Sequence, residues 1–176
     1  MPPKINVFWK QKVFAPYKIA ALINTVAEQG ICSDVVLQGT GLEVGQLTDS
    51  TTLTSIRQYI DACDNVIAAS AHPCTAFQMG QYLHLSAYGV YGHGLMSSST
   101  LRDFFNFSVK YQALSTPAVR FQWREEAGVA AGFFFDTYGH LITQRAREFL
   151  VRQQMVQQMT HVMDTAGDGC RPIKAL

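Results

Sequence analysis

AVRFQWREEAGVAAGFFFD, residues Ala118–Asp136, decides the fold class, because it is the stretch whose periodicity is not helical. Val119, Phe121 and Trp123 alternate with Arg120, Gln122 and Arg124, the pattern of a strand with one face buried. Glu125-Glu126-Ala127-Gly128 reads as a tight turn, and Val129–Asp136 returns as a second strand. That return carries Phe133, Phe134 and Phe135 in succession, apolar on both faces, so the second strand is expected to lie deeper than the first. A hairpin over residues 118–137 follows.

Upstream, the periodicity is helical. Ala15–Gln29 places Ile19, Leu22, Ile23 and Val26 on one face, with Gly30 at the helix end. Ser33 is expected to cap a short turn through Leu37 that stops at Gly39-Thr40-Gly41, and a further turn covers Glu43–Leu47. Thr52 or Thr54 opens a stronger helix carrying Ile56, Ile60, Cys63 and Ile67, and Pro73 starts the next, to about Leu83. Glycines 89, 92 and 94 serve packing or a cavity, or else leave the following segment only partly helical, and Thr100 with Asp103 caps Leu101–Gln112. Downstream, Leu141–Asp164 reads as one long helix with Ile142, Ala146, Phe149, Val156, Met159 and Met163 as its apolar stripe, ended by Gly167-Asp168-Gly169.

The order of helices, one hairpin and a long helix predicts an α+β fold, predominantly helical with a small antiparallel sheet. Residues 1–176 are read as a single domain: a helical part over 15–113, the hairpin, and the long helix over 141–164. Two strands make a marginal sheet, so either further strands follow Leu176 or a second copy of the chain supplies cover. The expectation is a sheet truncated of its C-terminal strands.

Charge sets the next bounds. Fourteen Lys+Arg against 13 Asp+Glu give a net charge of +1, no field to attract nucleic acid and no acidic or basic tail. No apolar run approaches the ~18 residues of a membrane span, and the lysine-bearing N-terminus lacks the apolar core of a signal peptide. Four scattered cysteines, Cys32, Cys63, Cys74 and Cys170, read as free thiols of a cytoplasmic protein. From Asn65 to Leu101 no Asp, Glu, Lys or Arg occurs, while three histidines and three tyrosines do. An uncharged stretch of this kind is core, or the wall of an apolar cavity.

Candidate chemistry concentrates there. Cys63, His72, Cys74 and His84 lack the spacing of a zinc site, so no metal is expected. Ser97–Ser99 lack a nucleophile-elbow context, and Gly89, Gly92 and Gly94 are not in the order of a phosphate loop. A Cys74–His84 pair would make the chain a small hydrolase or transferase. The competing reading takes His84, Tyr88, Tyr91, His93 and Tyr111 as polar-tipped rings lining a small-molecule pocket, or else as half-buried rings with their polar ends in water.

The segment HLSAYGVYGHGLMSSSTLRDFFNFSVKYQALSTP, His84–Pro117, goes further. Leu85-Ser86, Tyr88-Gly89, Gly92-His93, Leu95–Ser98 and Leu114-Ser115 to Pro117 form a block, preceded by Leu37–Gly41 and Met79-Gly80. This block resembles the N-terminal sensory, arabinose-binding-like domain of AraC-type bacterial transcription regulators, and the likeness runs from about residue 17 to Pro172. Ser99 stands where that family usually has a proline, and His93 where it often has an aromatic. The resemblance implies an effector-sensing and dimerising domain, not an enzyme, with no cofactor, bound to a small effector and acting on DNA through a helix-turn-helix domain absent from this chain.

The long helix bears on self-association. Leu150, Val151, Met155 and Val162 spread apolar surface beyond one stripe, more than a single core requires. Phe149, Met155 and Met159 are therefore candidates for a homodimer interface, the alternative being burial within the domain itself.

Overall fold

A computed structural model describes residues 9–69 and 72–167. Cys170, Asp168, Gly169 and the Arg171-Pro172 pair, all used in the reading above, lie outside the described residues. The chain forms helix α1 (Tyr17–Ala27), α2 (Ser33–Leu37), a 3-10 turn at Val44–Leu47, α3 (Ile56–Ala69), α4 (Thr75–Tyr82) and a 3-10 turn at Leu85–Tyr88. Then come α5 (Gly89–Met96), α6 (Leu101–Tyr111), strands β1 (Val119–Glu126) and β2 (Val129–Asp136), and α7 (Gln144–Ala166). It is a predominantly helical α+β fold with a two-stranded antiparallel sheet.

Local chemistry explains most element ends. Gly30, at φ +79°, closes α1 in a conformation that costs a glycine nothing. Thr100 Oγ1 accepts from Asp103 N at 3.1 Å and Thr143 Oγ1 from Ala146 N at 3.0 Å, capping α6 and α7. The cap of α3 is Ser55, not Thr52 or Thr54. Its Oγ accepts from Gln58 N, while Gln58 Oε1 accepts from Ser55 N, a reciprocal capping box. Thr54 instead pairs its backbone with Phe14, tying the chain ahead of α1 to the start of α3. Ser33 is the first residue of α2 rather than its cap.

The core lies between α1, α3, α4 and α7, built on Ile19, Leu22, Val26, Ile56, Ile60, Met79, Leu83 and Leu150, all essentially inaccessible. Gly80 lets α4 lie directly on α7: a Cβ there would sit 2.7 Å from Gln153 O and 2.8 Å from Val156 Cβ. The glycines of the central segment have packing causes too. Gly92 admits the Leu85 carbonyl, and Gly94 admits the Phe107 ring of α6.

Two expectations about burial are overturned as well. The second strand is not the deeper one: β1 buries Val119 and Phe121 against α6, whereas β2 is exposed or half-buried throughout. Gln112 fixes β1 by accepting from Phe121 N (2.9 Å) and donating to Phe121 O (3.2 Å), and β2 hangs outside it. The phenylalanines of β2 find partial cover in Phe121, 5.4 Å from Phe134, and under arginine stems, Arg120 over Phe135 and Arg124 over Phe133.

The second correction concerns α7. Its buried face follows the expected stripe only through Ala146 and Phe149, and then continues as Leu150, Gln153, Gln157, Thr160 and His161. Met159 lies outward at 37% exposure. The helix has turned polar residues inward because the surface it meets is polar.

Candidate functional site

That surface is a buried polar cluster at the centre of the helical part. The first turn of α1 supplies Tyr17 and Lys18, and α3 supplies Tyr59 and Cys63, one turn apart. The turn into α5 brings Tyr88 and Tyr91, three residues apart and so on one side. From α7 come Gln153, Gln157 and His161, each four residues from the last.

The rings and polar groups form one continuous network. Tyr17 and Tyr88 meet tilted with ring centres 4.6 Å apart, Tyr88 meets His161 edge-on at 4.8 Å, and Tyr91 is 6.1 Å from Tyr88. Tyr59 OH donates to Gln153 Oε1 (3.2 Å), and Gln153 Nε2 donates to Gln157 Oε1 (2.6 Å). The Tyr91 hydroxyl pairs with Ser108 Oγ at 3.2 Å. Lys18, only 3% exposed, donates from Nζ to the Thr116 carbonyl (3.1 Å) and lies 5.6 Å from the centre of the Tyr59 ring.

Burial dictates the protonation states. Desolvation raises the Tyr59 and Tyr88 phenols and the Cys63 thiol well above their usual range, so all three are neutral at pH 7. The same effect lowers Lys18 from 10.5 to about 7 and His161 from 6.5 to about 3, the latter against the opposing influence of the Leu83 carbonyl. His161 is therefore neutral, and its 2.8 Å contact to Leu83 O places the proton on Nε2. Its Nδ1 is left as a buried acceptor without a partner among the described residues, and the buried Tyr88 hydroxyl has the Tyr17 hydroxyl as its neighbour. A polar atom in the position of His161 Nδ1 is rare in a well-packed core.

Of the five sequence candidates for ligand contact, the structure brings Tyr88 and Tyr91 into this cluster and leaves three outside. His84 is exposed and pairs through Nδ1 with Asp164 Oδ1 (2.8 Å), while Asp164 Oδ2 accepts from Leu85 N. His93 is exposed on α5, and Tyr111 is 37% exposed, packed on Phe107 at 4.6 Å. Cys74 and His84 flank α4 at opposite ends, on the order of 12 Å apart along its axis, so they share no proton. Sequence reasoning missed Tyr17, Lys18, Tyr59, Gln153, Gln157 and His161. The signal was there for Lys18, which precedes Leu22 by four and Thr25 by seven, on the inner face of α1.

A concave region lies apart from this cluster on the surface, a cleft of about 170 Å³ among Val66, Pro73, Ala76, Phe149, Arg145, Arg152 and Glu148. None of the five candidates lines it. Phe149, read as an interface residue, is buried beside this cleft. Met155 is half-buried, and Met159 is the most outward of the three. Among the described residues no three His, Cys, Asp or Glu side chains are grouped as a metal ion requires, and no helix is long and apolar enough to cross a membrane.

With this geometry in place, comparison with known proteins is informative. Residues 30–175 match the family described as the arabinose-binding domain of AraC transcription regulator, N-terminal. The chain belongs to this family. Two curated relatives are uncharacterized HTH-type transcriptional regulators, from Mycobacterium bovis and Mycobacterium tuberculosis. Each is 26% identical over 117 residues, a stretch covering 66% of this chain and 33% of the relative. The likeness thus spans about a third of each relative's length. The domain is a regulator's N-terminal domain, and its polar cluster lies within the matched region except for the two residues on α1.

Proposed function

We propose that residues 1–176 form one effector-sensing and oligomerising unit of a cytoplasmic transcription regulator. It binds a small molecule in the polar cluster around Lys18 and catalyses no reaction. DNA contact belongs to a helix-turn-helix region of the kind named for the mycobacterial relatives. The observation that carries this reading is the buried acceptor His161 Nδ1, without a partner among the described residues, in one network with the buried Lys18, which joins none of their ion pairs. A core built for stability alone replaces such groups with hydrocarbon, whereas a receptor keeps them for its ligand. Binding then shifts the population between two packings of the same elements.

A metabolite screen read by chemical or thermal unfolding tests this. An effector at a hundredfold excess over its Kd raises unfolding free energy by about 2.7 kcal/mol. A screen in which no metabolite raises it contradicts the reading.

The outward face of α7 around Met155 and Met159 supports a homodimer through this helix, with the same face used on both chains. Sedimentation of the wild type is expected to give a dimer at tens of micromolar and the Met155→Glu variant a monomer. A monomeric wild type, or an undisturbed dimer in the variant, contradicts it.

A further inference from the structure

Lys18 is the one buried cation among the described residues, and it is under-used. An ammonium has three N–H donors, and here one is engaged, by the Thr116 carbonyl. The ion pairs of the described residues all involve other side chains. Buried charges are ordinarily paired, because an unpaired one forfeits its hydration without return. The neighbours of Lys18 are Thr116, the Tyr59 ring and Cys63, none of them a carboxylate.

Thr116, the partner of Lys18, is itself strained. Its φ of +52° puts a β-branched residue in the left-handed region, a conformation costly for any residue but glycine. The cluster grips it twice, through Lys18 on its carbonyl and Tyr17 OH accepting from its Oγ1 at 3.4 Å. Three residues later β1 begins. Resting on the sensor reading above, we propose that the effector is a small hydroxy acid whose carboxylate takes Lys18 in place of the Thr116 carbonyl, freeing that strained link and moving the hairpin.

The remaining groups match this class. The Tyr88 hydroxyl, which has the Tyr17 hydroxyl as its neighbour, can turn to the second carboxylate oxygen, and His161 Nδ1, without a partner among the described residues, can accept from a hydroxyl. The Thr116 carbonyl, released by the lysine, still accepts from Ala118 N at 2.9 Å, so the exchange orphans no backbone group.

The test uses the whole chain in a Trp9→Phe background, which leaves Trp123 of β1, hydrogen-bonded to Asn106 at 3.2 Å, as the sole tryptophan. Lactate, gluconate and 4-hydroxybenzoate are titrated beside their carboxamides, reading melting temperature and Trp123 emission. At least one acid is expected to raise the melting temperature and shift the emission, its amide to bind at least ~10-fold more weakly, and Lys18→Met to reduce affinity by ~100-fold. Tyr88→Phe, which keeps the ring, is expected to lose ~5- to 10-fold, and a Lys18→Met melting temperature no lower than that of the wild type shows that the lysine variant's loss is not a folding defect. Equal binding of acid and amide, or binding unchanged in Lys18→Met, overturns the acid class while leaving a sensor of neutral metabolites intact. No response to any of the acids overturns the proposal, and the wider metabolite screen decides separately whether the sensor reading falls with it. Binding without a Trp123 shift overturns the coupling to the hairpin.

Discussion

Lys18→Met is expected to make the folded chain more stable at pH 6, by about 3 kcal/mol, even though it removes a hydrogen-bonded side chain. Burial lowers the Lys18 amine from 10.5 to about 7. Below pH 7 the lysine is charged in both folded and unfolded chains, and the fold bears the full desolvation cost, about 5 kcal/mol. Methionine has similar length, fills the same channel and removes that cost. Loss of the contact to Thr116 O offsets part of the gain, though that carbonyl keeps Ala118 N as a donor. Between pH 7 and 10.5 the folded chain releases the proton while the unfolded chain retains it. The cost therefore fades as pH rises, and the stability difference between variant and wild type shrinks with it. Urea unfolding of both proteins at pH 6 and pH 9.5 checks this, and a variant less stable than the wild type at pH 6 contradicts it.

Acid acts at the other end of the cluster. His161 is held neutral by burial, its pKa lowered from 6.5 to about 3. Its contribution to stability is complete above pH 6.5 and is lost as pH falls toward 3, because the unfolded chain binds the proton first. The loss is about 3 kcal/mol by pH 4, a large share of the ~5–15 kcal/mol that holds a domain of this size. His161→Gln keeps an N–H for the Leu83 carbonyl and removes the titration. Its stability is expected to fall between pH 7 and pH 4 by about 3 kcal/mol less than that of the wild type. Parallel pH profiles for the two proteins would show that His161 is solvated in the folded state.

The architecture was open to a reading of periodicity and caps. The hairpin's second strand at Val129–Asp136, the turn at Ala127-Gly128 and the short helix Ser33–Leu37 stand where alternation and turn residues put them. Positive φ at both Ala127 and Gly128 is what a two-residue hairpin turn requires. Burial was harder to read. Three consecutive phenylalanines looked interior because composition does not reveal that arginines across the strand cover them from outside. On α7, hydrophobicity favoured Val156, Met159 and Met163 over a row of glutamines, yet the glutamines face inward because Tyr59 and its neighbours offer them partners.

The candidate site was half legible for the same reason. Tyr88 and Tyr91 lie three apart in an uncharged stretch and share a face, whereas His93 follows Tyr91 by two and points away. His84 was drawn off by Asp164, a residue 80 positions distant, which no local pattern announces. Lys18 escaped notice because a lone lysine in a helix is ordinarily solvated. Its place on the inner face of α1, four residues before Leu22, was the local sign of its burial.

The central claim is that the polar cluster around Lys18, and not the surface cleft between α3, α4 and α7, receives the effector. Amide and side-chain chemical shifts of the isotope-labelled chain, recorded with and without a metabolite that stabilises it, test this most directly. The account predicts the largest changes at Lys18, Tyr88, Thr116 and His161, continuing into β1. Largest changes at Arg145, Arg152 and Ala76, with Lys18 and His161 unmoved, would contradict it.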